Sequence, residues 1–400
     1  MALHSERMSR RALVKSGVAA VAGAGAPAGR ADNQAATGAS AALREKFFGC
    51  IAGVYLGSAM GAPVEGWEWE RIEKEQGTLD RLLPYHHYGK SNDWMREPGT
   101  TEDGVERQKL MIAAILDKQD RVNAEDVRAA WVRYMNPKAP GLISEPFEGA
   151  LLAMAKTPMP AADIGKYCDY SGLVSLSRSC HPIGLINAGD VRAAIEDVRD
   201  VGQLYHTANS RGIRWAEVVV TAIAEATRPK ASVDSVLGAI FEHCDRPGPS
   251  MKEAGVRAEL ERGLALSAAC KDFRELRVKL GAVYSGKGIV YSSSYANEVV
   301  TKAVCIFRMT GGNTWEAMKA AVNFGRDTDC LAAVSAGISG ALSGSASLPE
   351  ALIAQVDRAT ALNQATCARR SIRETSDGLY NAYRARWQRM RALAAEMEIG

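Results

Sequence analysis

The chain has 400 residues, 47% of them hydrophobic, enough for one large domain or two ordinary ones with a sizeable core. Its formal charge is +3, and Arg7, Arg10, Arg11, Lys15 and Arg30 against Glu6 more than account for that excess. The rest is near neutral, which excludes binding to nucleic acid by bulk charge. The eight cysteines are scattered, with no C-x-x-C and no Cys/His spacing of a zinc site. They are expected mostly as small buried hydrophobes, with a disulfide or two open to an exported chain.

Near the start, Ser9-Arg10-Arg11-Ala12-Leu13-Val14-Lys15 precedes a weakly apolar run, Gly17 to Ala26, and then Ala26-Pro27-Ala28, an A-x-A cleavage pattern. That layout predicts a twin-arginine export signal over residues 1–31, a flexible linker over 32–42, and delivery to the periplasm or outside the cell. The competing reading is a disordered Ala/Gly-rich tail, because paired arginines alone are common. Later in the chain no run of about 18 consecutive apolar residues offers a membrane anchor.

From Ala41 onward, apolar residues recur at helical spacing between short glycine, proline or asparagine breaks. In chain order the spacing predicts helices over Ala41–Tyr55, Gly104–Lys118, Ala124–Met135, Ala188–Tyr205, Arg214–Ala226 and Ser232–His243. It continues with Lys252–Ala269, Tyr295–Met309, Thr314–Val322, Leu331–Leu342, Pro349–Ala361 and Asp377–Glu398. No series of alternating strands is visible, so the fold class is all-α, in a single domain over residues 43–400. The irregular stretch from Trp67 to Gly99, with Tyr85-His86-His87-Tyr88, is expected as a lid or rim.

Three stretches concentrate chemistry. "NFGRDTDCLAAVSAGISGALSG", from Asn323, puts Asp327 and Asp329 in a turn that enters a helix of small residues, around which neighbours can close. Two buried carboxylates need a compensating cation, and hard oxygens favour Mg²⁺, Mn²⁺ or Ca²⁺ over zinc. Upstream, Thr100, Thr101, Glu102 and Asp103 open a second helix in the same style. For both turns, the alternative is an ordinary acidic N-cap, or a capping box between Thr100 and Asp103. In the third stretch, Gly49, Gly53, Gly57 and Gly61 recur every fourth residue as a packing face, Pro63 ends the helix, and Glu65 emerges from the turn.

Together these stretches resemble the ADP-ribosylglycohydrolases, whose pattern is a glycine-rich first helix ending in G-x-P-x-E, then T-D-D, then G-G-D-T-D-T. Arg178 to Gly184, "RSCHPIG", resembles the family's R-x-x-P-x-G loop, and His206 sits where a T-H commonly follows. The departures are Glu102 for the first aspartate of T-D-D, Cys330 for the last threonine, Arg326 for the second glycine, and Ser58 for an aspartate. The resemblance implies a compact orthogonal multi-helix fold around a buried site for two Mg²⁺ or Mn²⁺ ions.

In that reading the metal ligands are Thr101, Glu102, Asp103, Asp327, Asp329 and Cys330. Cys330 is a poor ligand for Mg²⁺, and Glu102 carries one methylene more than aspartate. Glu65, Asp327 and Asp329 are the implied catalytic residues. Arg178, His181, Gly184, His206 and Arg326 are the implied substrate contacts. The expected activity is metal-dependent hydrolysis of an N- or O-glycosidic bond to a ribose-like sugar, on a small-molecule or ADP-ribosylated substrate, by a monomer. The alternatives are a noncatalytic or single-metal relative that binds a ribosyl or nucleotide ligand, and a glycosidase for another sugar conjugate.

Overall fold

A computed structural model describes residues 28–86, 95–135, 146–168, 171–247, 255–284, 292–363 and 366–397. Contacts divide the chain into residues 1–40 and residues 41–400. The twin-arginine stretch, His87 and Tyr88 lie outside the described residues.

The chain is all-α. Its helices are α1 (Ala28–Gly61), α2 (Trp69–Gln76), α3 (Asp103–Lys118), α4 (Ala124–Tyr134), α5 (Pro146–Ala155), α6 (Ala161–Ile164), α7 (Ser175–Ser179), α8 (His181–Ile186) and α9 (Val191–Val201). They continue as α10 (Arg211–Ala226), α11 (Val233–His243), α12 (Val256–Ala268), α13 (Phe273–Val283), α14 (Ala296–Met309), α15 (Thr314–Val322), α16 (Thr328–Ser343), α17 (Glu350–Leu362) and α18 (Ile372–Glu396). One small antiparallel pair joins β1 (Tyr85–His86) to β2 (Met95–Arg96), with Tyr85 opposite Arg96.

Helix starts follow local capping chemistry. Asn123 and Asp126 form a reciprocal capping box at α4, Ser232 and Ser235 at α11, and Ser371 and Glu374 at α18. The last of these sets the start of α18 at Ile372, ahead of the Asp377 suggested by hydrophobic spacing. Helix α1 begins at Ala28, so its backbone is helical through 32–42, the stretch read as linker, where alanines favour helix. It runs past Tyr55 to Gly61, where a 3-10 turn, Ala62–Val64 with Pro63 inside it, ends it.

Within residues 41–400, α10 is central and touches α7, α8, α9, α11, α14 and α16. Helix α16 is buried over almost its full length and also packs on α14 and α15. The segment Ser40–Val64 is long and apolar enough to cross a membrane, but 94% of its most apolar window is buried inside the protein, which makes it a core helix here. Among the described residues no disulfide joins the cysteines, and all but Cys270 and Cys367 are buried.

Candidate functional site

The glycine face of α1 packs directly on the backbone of α16. A Cβ on Gly49 would strike Gly344, one on Gly53 the carbonyl of Ala336, one on Gly57 would lie 2.8 Å from the Ala332 carbonyl carbon, and one on Gly61 2.5 Å from Asp329 Cα. Each four-residue step along α1 thus meets a four-residue step back along α16. Such approach requires glycine on one side and small residues on the other. The last contact sets the end of α1 against the turn that carries the paired aspartates, and Thr328 Oγ1 fastens it by donating to the Gly61 carbonyl at 2.8 Å.

The loop after α1 is tied to the same turn. Gly66 N–H donates to the Arg326 carbonyl at 2.7 Å, and Arg326 N–H to the Trp67 carbonyl at 2.6 Å. Gly325 and Arg326 both have positive φ, 79° and 67°. A Cβ on Gly325 would meet Trp69 N at 2.5 Å, so glycine is required there. Arg326 adopts the left-handed conformation without that freedom. Its guanidinium instead grips Glu298 at 2.7 and 3.0 Å, and Glu298 also holds buried Lys302 at 2.5 Å. Burial lowers the pKa of Lys302.

The upstream turn reaches this place through α3 and Ser58. Glu102 is the N-cap of α3 and accepts from Gly104 N–H at 3.3 Å, while its own N–H donates to Ser58 Oγ at 3.3 Å. Thr100 therefore does not cap this helix. Helix α7, packed between α3 and α16, then delivers Arg178 into the gap. Arg178 Nη2 donates to Asp103 Oδ2 at 2.5 Å, and Nη1 lies 3.1 Å from Glu102 Oε2, 3.5 Å from Asp329 Oδ2 and 3.1 Å from Cys330 Sγ. One guanidinium thus touches both acidic turns. Arg107, one turn along α3, also reaches Asp103 Oδ2, at 2.5 Å.

Several oxygens in this pocket receive no hydrogen bond. Thr101 Oγ1, Asp103 Oδ1, both carboxylate oxygens of Asp327 and Asp329 Oδ1 are buried and without a donor among the described residues. Asp327 stands at the N-cap position of α16, yet its side chain caps nothing. An N-cap role therefore does not account for it. Buried carboxylate oxygens without donors are costly, and a divalent cation with oxygen preference satisfies them. These residues fit Mg²⁺ or Mn²⁺. The ligand atoms of Asp327, Asp329 and Cys330 lie within 4.8 Å of one another, but the Cys330 thiol is already engaged, accepting from Arg178 and donating to Asp329 Oδ2 at 3.6 Å.

The electrostatics follow from crowding. Burial, then the charge of Asp327, pushes the Asp329 carboxyl up to about 7. Burial, followed by Asp329, Glu102, Asp327 and Asp103, raises Glu65 well above the ordinary glutamate range. Burial also raises Asp103, against the pull of Arg107 and Arg178. For Arg178 burial works against the charge, but Asp103, Cys330, Glu102 and Asp329 outweigh it and hold its proton more tightly.

Glu65 borders the carboxylates on one side and a cavity of about 580 Å³ on the other, within the range of small-ligand sites. Trp67, Leu83, Tyr85, His86 and Met95 line that cavity, so the stretch expected as a rim does border it. Tyr85 Oη donates to the Thr100 carbonyl at 3.1 Å, which links the cavity wall to the upstream turn.

Other residues singled out from sequence lie in the core. His181 is buried, with Nδ1 3.2 Å from Gln108 Nε2, and it packs on Gly337. His206 is buried, with Nε2 3.3 Å from Ser175 Oγ. Burial drives both histidines down to about 3, so they are neutral. Gly184 packs against Ile223. "RSCHPIG" has one residue more between its arginine and proline than R-x-x-P-x-G, and it is Arg178 alone of this stretch that reaches the carboxylates through its side chain. Sequence reasoning missed Ser58 and Arg107 as partners of the acidic turn. Arg107 follows Asp103 by four residues, the spacing of an ion pair on one helix face.

The model of the ADP-ribosylglycohydrolase family matches residues 39–389. An uncharacterized protein of Escherichia coli, YegU, is 24% identical over 80% of this chain and 93% of its own length. An uncharacterized protein of Archaeoglobus fulgidus is likewise 24% identical, over 75% of this chain and 88% of its own. Among solved structures, one described as an ADP-ribosylglycohydrolase-related protein complex superimposes with a TM-score of 0.59 at 15% identity, covering 86% of this chain and 98% of that one. That last likeness is one of fold.

Proposed function

The chain belongs to the ADP-ribosylglycohydrolase family, and from that premise we propose that it is a divalent-cation-dependent hydrolase of an N- or O-glycosidic bond to a ribose-like sugar. The observation that carries this reading is the set of buried oxygens from Thr101, Asp103, Asp327 and Asp329 that receive no hydrogen bond. A bound Mg²⁺ or Mn²⁺ supplies charge to grip vicinal sugar hydroxyls and to acidify a water.

The chain's own residues do the rest. Glu65, whose proton is held more tightly through burial and its acidic neighbours, gives that proton to the leaving group as the glycosidic bond breaks. Asp327 and Asp329 face the positive charge that grows on the sugar, and Asp329 accepts the proton of the water that attacks the anomeric carbon. Trp67 and Tyr85, in the cavity beside Glu65, offer aromatic surface to the rest of the substrate. Export through the twin-arginine route forms part of the same proposal, supported by the layout of residues 9–28. The acceptor released is then one met outside the cytoplasm.

Turnover of ADP-ribosyl-arginine and related ribosyl conjugates by the Mn²⁺-loaded protein tests the reading. Asp329→Asn and Glu65→Gln are each expected to lower kcat by about 100-fold or more, the size of a general acid or base contribution. Saturable ligand binding with no turnover of any conjugate would instead favour a noncatalytic relative, the reading that Cys330 supports.

A further inference from the structure

We propose that the Arg178 guanidinium takes the position of the second divalent ion of a two-metal centre, so that this chain holds a single divalent ion. The inference rests on the reading that these carboxylates bind a divalent cation, and is independent of turnover. An ion shared by the two acidic turns would need atoms from both. Glu102 Oε2 and Asp103 Oδ2 of one turn and Asp329 Oδ2 and Cys330 Sγ of the other could serve such an ion, and Arg178 engages all four of them. Buried oxygens without a donor among the described residues remain on Thr101, Asp103, Asp327 and Asp329, and Arg178 leaves these for one ion.

The place is built for this side chain. A Cβ on Gly104 would lie 2.6 Å from Arg178 Cδ and 2.9 Å from its Nε, so the stem of the arginine runs across a glycine that leaves room for it. A thiol at position 330 suits the same occupant, since sulfur is a poor ligand for Mg²⁺ but accepts an N–H. Charge agrees. Glu102, Asp103, Asp327 and Asp329 are balanced by Arg107, Arg178 and one divalent ion. A second ion would leave two positive charges unmatched in a buried site, beside Lys302 and Arg326, which already share Glu298.

Calorimetric titration of the metal-stripped full chain with Mn²⁺, with electron paramagnetic resonance of the loaded protein, tests this. The expected result is one Mn²⁺ per chain and no spin coupling. The double variant Arg178→Met/Cys330→Thr should gain a second Mn²⁺ and show coupling. Two coupled ions in the wild type, no ion at all, or a folded double variant that still binds one would each overturn the proposal. Should the double variant fail to fold, cobalt(II) in the wild type decides: a thiolate-to-cobalt charge-transfer band would show that Cys330 ligates metal and overturn it, and its absence is the expected result. One ion without turnover would leave this inference standing and remove the hydrolase reading.

Discussion

Asp329 holds its proton far above the ordinary aspartate range, and Glu65 does the same. A carboxyl whose pKa is higher in the folded chain stabilises the fold below its unfolded value, and that contribution is lost as pH rises through the folded value. His181 and His206, lowered by burial, act in the opposite sense and are only half titrated at 6.5, their unfolded value, so up to about pH 7.5 they offset much of this loss, and equally in the wild type and in Asp329→Asn. Between about pH 5 and 8 the melting temperature of the metal-free wild type is therefore expected to fall relative to that of Asp329→Asn. Scanning calorimetry checks this, and a wild-type Tm that climbs more steeply than the variant's would refute it. At this scale much of the site was legible: Glu65, Thr101 to Asp103, Asp327 and Asp329 announced themselves by acid and glycine spacing. The grip of Glu298 on Arg326 did not, because it joins side chains 28 residues apart, with no local pattern to mark the pair.

Helices show where periodicity suffices and where it does not. The long amphipathic ones, such as α3, α10 and α14, were visible because one face is apolar over several turns. Short ones such as α6, α7 and α8 were not, since a single turn or two is held by its surroundings rather than by its own sequence. That gap matters, because α7 carries Arg178. The start of α18 was signalled by Ser371 and Glu374, a cue that hydrophobic spacing overlooked. The glycine face of α1 was readable as a packing face, but only the fold shows that α16 is its partner. Gly53→Ala should cost about 1–3 kcal/mol, the usual penalty of overpacking, because the new methyl meets the Ala336 carbonyl, which cannot move without bending α16. Urea denaturation measures it, and a change smaller than the error of that method would mean the two backbones are not in contact.

Across the whole molecule, residues 41–400 place the acidic turns, the Glu65 loop and the cavity in one unit, whereas the paired arginines of the proposed export signal lie within residues 1–40. The two parts are thus separable in experiment. Replacing Arg10 and Arg11 by lysine should retain the protein in the cytoplasm with its fold intact, as judged by fractionation and circular dichroism. Unchanged export of that variant would remove the twin-arginine reading without touching the site.

The hydrogen bond from Thr328 to the Gly61 carbonyl spans 267 residues of chain. A ribosome must therefore have made most of the polypeptide before the ends of the centre can meet, and no early fragment can assemble it. Any cation bound there joins a chain whose synthesis is nearly complete, because the segments that enclose the place lie far apart in sequence.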